Sequence, residues 1–154
     1  MYTVYQVAKW FLNKEDNKTS AKKLQKLCWY AYSWYIALTY DPEVKTFEYF
    51  FKEEPEAWVH GPVFRCLFED YKYNDYYLVN TSKDITNKED LDFLEDVYDV
   101  YGGLSGFDLE SLTHREMPWK RARKDLGILE SSTNKIQIKD IIDEYLPRIL
   151  NENG

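Results

Sequence analysis

The sequence predicts a mainly α fold, at most α+β, in which a compact single-domain helical bundle surrounds one buried central helix and carries a small β-hairpin. Three observations lead to this prediction. Apolar residues recur at three- and four-residue steps along most of the chain, which is the spacing of one helix face. Residue pairs typical of helix N-termini precede several of these stretches. The segment over residues 44–63 instead has aromatic and β-branched residues on both sides of a charged turn, which is typical of paired strands.

The stretch from Ser20 to Tyr40 predicts the central helix. One helix face is formed by Leu24, Leu27, Cys28, Ala31, Trp34, Tyr35 and Leu38. The other side of the first two turns is expected to be kept in water by Lys22, Lys23, Gln25 and Lys26. Beyond Cys28 this polar side nearly disappears, and a helix that is apolar all round must be covered by other elements.

A first helix is predicted from about Thr3 to Asn13, because Thr3 and Gln6 form a capping-box pattern ahead of an apolar stripe. The polar residues 14–19 then form a connection of a length typical between antiparallel helices. Asp41-Pro42 is expected to close the central helix, since the residue before a proline avoids helical dihedral angles.

The β-hairpin is placed near Thr46 to Val59, with the charged residues 52–54 as its turn. Gly61-Pro62 is interpreted as a helix start. Proline at the first helical position has its φ already fixed, and the N–H donor that it lacks is not needed there. The helix that follows is expected to end near Tyr73. Residues 74–83 show no regular period, and the run from Tyr76 to Val79 fits either a short strand or a packed loop.

The second half of the chain predicts further helices. Thr86 and Glu89 form a capping-box pattern ahead of a helix that Gly102-Gly103 should end, and Ser105 with Asp108 repeats this pattern at the start of the next, brief helix. Pro118 restarts a helix that is expected to stop at Gly127. The last helix covers Ile141 to Leu150, and Pro147 is expected to kink or fray its final turn.

Length and charge restrict the function classes. With 154 residues the chain is long enough for one domain around a single core, which we place at residues 1–150, with a C-terminal tail at 151–154. The net charge of −7 disfavours general binding to nucleic acids or anionic membranes and favours a basic partner. The oligomeric state stays open.

A cytoplasmic protein without cofactor or metal is expected. Residues 1–13 lack the basic start and continuous apolar run of a secretory signal, and no stretch approaches the ~18 uninterrupted apolar residues of a membrane span. Cys28 and Cys66 each lie in an apolar helical pattern, which is typical of reduced core cysteines and not of a disulfide or a metal site.

Three blocks of sequence carry a resemblance to a known family. They are KLQKLCWYAYSWYIAL at 23–38, EAWVHGPVF at 56–64 and YGGLSGFDLESLTHREMPWKRAR at 101–123. Together and in this order they resemble the Panacea domain, the family of SocA-like antitoxins that is also met in phage-associated and prophage proteins. The resemblance covers nearly the whole chain, and the three blocks in register make it specific.

The resemblance implies an antitoxin that works by protein binding and not by catalysis. Members of the family bind and neutralise structurally unrelated toxins encoded beside them, and some act as adaptors that deliver the toxin to an ATP-dependent protease. The implied partner of this chain is therefore a cognate toxin encoded next to it, with an ATP-dependent protease as a second partner in the adaptor mode.

The matched blocks supply the candidate partner-binding residues. These are Trp58, His60, Gly61, Pro62, His114, Arg115, Trp119 and Arg121. In one interpretation the two blocks meet beside the central helix and form a groove with aromatic and arginine anchors. In the other interpretation the tryptophans are core residues, the glycine and prolines mark helix boundaries, and His114 forms hydrogen bonds within the core.

A phage or prophage accessory protein with a hydrolase or nucleic-acid-binding role is the alternative. The side chains available for a Cys–His pair or a metal site are Cys28, Cys66, His60 and His114. Their spacing matches no established motif such as C-x-x-C or H-E-x-x-H. A nucleic-acid binder would use the basic patch from Arg115 to Lys124 with Trp119 and Trp10 for stacking, against the acidic net charge.

Overall fold

The computed structural model describes residues 1–153. Within this part of the chain it contains eight α-helices and one two-stranded antiparallel sheet, which confirms the mainly α fold with a small hairpin. The elements are α1 (Val4–Lys14), α2 (Ala21–Thr39), β1 (Glu56–Trp58), β2 (Gly61–Val63), α3 (Arg65–Asn74), α4 (Tyr77–Thr81), α5 (Lys88–Tyr101), α6 (Gly106–Arg115), α7 (Met117–Ala122) and α8 (Ile138–Asn153). No helix of the described part is both long and apolar enough to cross a lipid bilayer.

Helix α2 lies at the centre of the bundle, as predicted. The side chain of Ser20 caps its first turn. Helices α1, α3, α5, α6 and α8 pack around it, together with strand β2. Leu24 and Leu27 are fully buried, and so are the bulky side chains of Trp29 and Tyr30. Both halves of this helix therefore contribute side chains to the core of the domain.

Two predictions about α2 are wrong. Gln25 and Lys26, expected in water, are only 6% and 2% exposed. The hairpin covers this side of α2, and the amide of Gln25 binds both the backbone N–H and the carbonyl oxygen of Phe64. Leu38, expected in the core, is 55% exposed. It lies next to the C-terminal end of α2, beyond the part of the helix that the hairpin covers.

The hairpin lies further along the chain than predicted. Its strands pair with Trp58 opposite Gly61, so its turn is at Val59 and His60 and not at residues 52–54. Gly61-Pro62 opens strand β2 and does not start a helix. Residues 44–54 contain only isolated β-bridges. Strand β2 is the one that packs on α2, and β propensity depends on the surface that a strand covers.

Three boundaries in the second half also differ from the prediction. The run at residues 76–79 belongs to the short helix α4 and its cap, and is neither a strand nor a loop. The N-cap of α5 is Asn87 and not Thr86. The side chain of Asn87 accepts a hydrogen bond from the backbone N–H of Asp90. Helix α7 ends at Ala122, before the predicted stop at Gly127.

The predicted capping boxes at Thr3 and Ser105 are confirmed. Helix α8 continues through Pro147 to Asn153. The tail expected at residues 151–154 therefore begins inside α8, and Gly154 lies outside the described residues.

A buried carboxylate joins three parts of the bundle. Glu116 lies between α6 and α7 and is 4% exposed. Its oxygens accept hydrogen bonds from the hydroxyl of Tyr30 on α2 at 2.8 Å, and from Tyr145 and Arg148 on α8, each at 2.9 Å. Burial raises the pKa of Glu116, and these three donors oppose that shift. The ring of Tyr30 also stacks on Tyr101 of α5, with centroids 3.8 Å apart.

Leu27→Ala is expected to lower the free energy of unfolding by about 2–5 kcal/mol, because it leaves a cavity in the core. Leu38→Ala removes the same atoms from an exposed position of the same helix and should change it by at most about 0.5 kcal/mol. Urea denaturation followed by circular dichroism measures both. Equal losses would contradict the placement of α2 in the bundle.

Candidate functional site

The hairpin packs against the break between α6 and α7. The indole Nε1 of Trp119 donates to the carbonyl oxygen of Trp58 at 2.7 Å. The ring of His114 stacks on that of Trp119, with centroids 3.9 Å apart and planes within 8°. Pro118 lies in the first turn of α7 and Glu116 ends α6, so the chain turns between these two rings. Three predicted site residues from two distant blocks are thus brought together.

Three interior side chains hold the hairpin by its backbone. The bonds run from Arg123 to the Ala57 carbonyl oxygen (3.1 Å), from Trp119 to that of Trp58 (2.7 Å) and from Lys26 to that of Pro62 (3.3 Å). The guanidinium of Arg123 also lies over the ring of Trp119, 5.2 Å from its centroid. These contacts fix the position of both strands relative to α2 and α7.

Gly61 marks the closest approach of the hairpin to α2. Its φ is +115°, a conformation that residues with a side chain rarely adopt. A Cβ atom here would lie 2.7 Å from Cε of Lys26 and 3.0 Å from Oγ1 of Thr113. The predicted site residue Gly61 therefore has a structural role, because only glycine leaves room for the lysine.

Lys26 is a buried cation next to these residues. Its Nζ has one hydrogen-bond acceptor within the described chain, the carbonyl oxygen of Pro62. Glu110, the acidic residue whose charge acts on Lys26, is instead paired with Lys22 at 2.6 Å. Burial lowers the pKa of Lys26 to about 7. At neutral pH this lysine is therefore only partly charged.

The two histidines lie in different environments. His60 is exposed at the turn of the hairpin, with Nδ1 3.4 Å from a carboxylate oxygen of Glu110. Nε2 of His114 is buried and has no hydrogen-bond partner in the described chain. Burial lowers the pKa of His114, and the neighbouring Lys26 acts in the same direction. The neutral form of His114 is therefore favoured at pH 7.

The geometry offers little support for a hydrolase. Burial raises the pKa of both thiols, Cys28 and Cys66, and a thiol that stays protonated is a weak nucleophile. Among the described residues, no group of three or more His, Cys, Asp or Glu side chains could hold a metal ion.

The predicted arginines lie apart from the stacked rings. Arg121 pairs with two aspartates of α8, at 2.9 and 3.0 Å. Arg123, from the same basic patch, is 5% exposed and donates to three carbonyl oxygens. The cations of the patch that face solvent without an ion pair in the described chain are Arg115, Lys120 and Lys124. The patch that suggested nucleic-acid binding is therefore partly an internal structural element.

Cavities flank the hairpin. One of about 200 Å³ lies between the hairpin, α2 and α3, and a second of about 290 Å³ lies between the hairpin and residues 131–133. Trp58, His60 and Val63 line both. A groove of about 480 Å³ follows α7 and includes Lys120 and Lys124. The hairpin turn thus stands between concave surfaces that can receive side chains of another protein.

Comparison with known families places this arrangement in a wider group. Residues 24–120 match the family model described as Antitoxin SocA-like, Panacea domain. The match covers more than half of the chain and includes the hairpin, α6 and most of α7. The chain belongs to the SocA-like Panacea-domain family. No curated protein and no solved structure matches it.

The site of this Panacea domain includes residues that the sequence did not indicate. Lys26 lies within the first resembling block and Glu110 within the third, yet helical spacing predicts that Lys26 is on the solvent-exposed face of α2. The sequence predicts that Arg123 is part of a basic patch on the surface. The burial of these residues depends on elements that are far away in the sequence, so helical spacing does not reveal it. The one sequence signal for their role is that they lie inside the resembling blocks.

Gly61→Ala should destabilise the Panacea domain by about 1–3 kcal/mol, because the new methyl group meets Lys26 and the residue keeps a positive φ. Gly103→Ala is the matched control: a Cβ there has nothing within 4 Å, so we expect a change of at most about 0.5 kcal/mol. Thermal and urea denaturation of both variants test this. Equal stabilities of the two variants would rule out the close approach.

Lys26→Met should raise the free energy of unfolding near pH 6.5, by about 2 kcal/mol, because it removes a buried charge. Between about pH 7 and the usual lysine pKa near 10.4, the unfolded chain holds a proton that the folded Lys26 has released, so wild-type stability rises with pH.

The difference between variant and wild type should therefore shrink at pH 9.5, as measured by urea denaturation at both pH values. Lys18→Met, at an exposed lysine, is the control and should show no such dependence. A difference that is the same at pH 6.5 and 9.5 would mean that Lys26 does not titrate in this range.

Proposed function

We propose that this chain is an antitoxin that neutralises a cognate toxin by direct, stoichiometric binding. Membership in the SocA-like antitoxin family supports the proposal and implies a toxin partner in general. The structural observation that carries it is the meeting of two separate sequence blocks at one surface. We call this surface, formed by Trp58, Val59, His60 and Val63 with Lys120 of the neighbouring groove, the hairpin face.

The hairpin face has a rigid aromatic residue at its centre. Nε1 of the half-buried Trp58 donates to a carboxylate oxygen of Glu56 at 2.8 Å, and its ring meets that of Phe68 edge-on. Burial of Glu56 is outweighed by the hydrogen bonds from Arg65 and Trp58, which hold the pKa of this carboxylate below its usual value. A preorganised aromatic side chain loses little entropy on binding and is a typical anchor of an interface.

The candidate residues would then have two roles. Trp58 and His60 would contact the toxin, because they line the cavities beside the turn. Gly61, Pro62 and His114 would hold these two in place, as would Trp119, which is 8% exposed. In this proposal the function is binding without chemistry, and the raised pKa values of both thiols disfavour a cysteine nucleophile.

Two modes of neutralisation fit the proposal. In the first, a stable complex blocks the toxin. In the second, the chain acts as an adaptor that passes the toxin to an ATP-dependent protease.

Co-expression of the tagged chain with the product of the neighbouring reading frame should restore growth and yield a complex that co-purifies in a fixed ratio. Growth rescue with falling toxin levels, reversed by deletion of ATP-dependent proteases, would identify the adaptor mode. Absence of both rescue and complex, with a folded chain, would contradict the antitoxin role toward that partner.

The variants His60→Glu and Lys120→Glu should each weaken the complex about tenfold or more, because they change exposed residues of the hairpin face. Lys83→Glu is the control: it reverses an exposed charge that lines none of the cavities around the hairpin. Co-purification and isothermal titration calorimetry measure the effect, with circular dichroism to verify folding. If all three variants bind as the wild type does, the toxin binds elsewhere.

A further inference from the structure

The cavity between the hairpin, α2 and α3 is lined by basic side chains and by no acidic one. Lys22, Lys26 and His60 line it, and no carboxylate does, although the chain has 27 acidic residues and 20 lysines and arginines. Glu110 is bound to Lys22 and is not among the lining residues. Glu110 also lies 3.4 Å from His60, so Lys26 is the basic lining residue without a carboxylate in contact within the described chain, and it is the one suited to bind an anion.

Lys26 is the lining residue whose hydrogen bonding is incomplete. An ammonium group has three donors, and Nζ of Lys26 has a single acceptor in the described chain, the Pro62 carbonyl oxygen. The residue is 2% exposed. A buried ammonium without a carboxylate in contact is unfavourable, so a ligand carboxylate would supply the partner that the fold itself lacks.

The remainder of the wall is largely apolar. It includes Trp58, Val63 and Phe68. The volume of about 200 Å³ is below the roughly 300–1,000 Å³ of typical small-molecule sites. A cavity of about 150 Å³ can hold a benzene molecule, so one large apolar side chain fits here. The ligand that suits this cavity combines one such side chain with one carboxylate.

We propose that this cavity binds the C-terminal residue of the toxin, with its apolar side chain against Trp58 and Phe68 and its α-carboxylate at Lys26. One residue fills the space, and a C-terminal residue is the one that carries both an apolar side chain and a carboxylate. The identity of the partner rests on the proposed antitoxin function, whereas the chemistry of the cavity does not.

Binding of a carboxylate should be coupled to proton uptake. Burial lowers the pKa of Lys26 to about 7 in the free protein, and an adjacent carboxylate raises it. The affinity should therefore be highest below pH 7 and fall above it. The titratable groups that face Lys26 are Lys22 on α2, His60 on the hairpin, Tyr71 and Tyr76 from α3 and the residues after it, and Glu110 and His114 on α6.

N-acetylphenylalanine is the probe, and N-acetylphenylalanine amide is its matched neutral control. Titrated into the purified chain at pH 6.5, the acid should shift the indole N–H signal of Trp58 in 1H–15N NMR spectra and bind about tenfold tighter than the amide. Above pH 7 its affinity should fall by up to about tenfold per pH unit. Lys26→Met should lose both the preference for the acid and the pH dependence, and Lys18→Met should keep them.

Several results would overturn the inference. These are equal binding of acid and amide, no binding of either, or an unchanged preference in Lys26→Met. Tighter binding of the peptide acetyl-Phe-Asp-amide than of N-acetylphenylalanine would assign the cavity to an internal acidic segment and would refute the C-terminal assignment. If the chain binds the acid selectively but neutralises no toxin, the site in the cavity is retained and the antitoxin function is rejected. If the chain neutralises a toxin but does not bind the acid selectively, the antitoxin function is retained and the site in the cavity is rejected.

Discussion

The carboxylate of Glu116 fixes the break between α6 and α7, and the geometry of the hairpin depends on that break. Glu116 ends α6 and precedes α7, so its hydrogen bonds to Tyr30, Tyr145 and Arg148 set the direction in which α7 leaves. His114 and Trp119 then lie face to face, and the indole reaches the hairpin backbone. Since a carboxylate in the interior needs such donors to be tolerated, loss of any one would disturb the whole arrangement.

This dependence extends beyond the segment that defines the family. Tyr145 and Arg148 belong to α8, which lies outside the matched residues 24–120. The matched part therefore contains the hairpin, the stacked rings and the carboxylate, while two of the three donors to that carboxylate come from the C-terminal helix. Helix α8 is thus a component of the site although none of its residues lines the cavities beside the hairpin.

Features with local causes could be predicted from the sequence. The capping boxes at Thr3 and Ser105 depend on neighbouring residues, and each begins its helix as predicted. The hairpin was misplaced because strand pairing depends on which segment covers α2, and that is decided by distant residues. The burial of Lys26 and Arg123 escaped prediction for the same reason: each is satisfied by carbonyl oxygens of a hairpin that periodicity does not reveal.

Of the candidate site, the sequence indicated Trp58, His60, His114 and Trp119, and the structure gathers them around the hairpin. The sequence did not indicate Lys26, the buried lysine next to these residues. Lys26 illustrates a common conflict in proteins, since a buried charge without an ionic partner lowers stability. Ionisable groups with strongly shifted pKa values cluster at functional sites.

The three bonds that hold the hairpin all end on backbone carbonyl oxygens, at Ala57, Trp58 and Pro62. Every amino acid provides such an oxygen, so the anchoring does not read the identity of the side chains. The two residues of the turn, the half-buried Val59 and the exposed His60, can consequently diverge under selection while the scaffold stays intact. If the hairpin turn contacts the partner as proposed, a few substitutions at these two positions would change which partner is bound, and the same two positions are the natural ones to randomise in a library built on this domain.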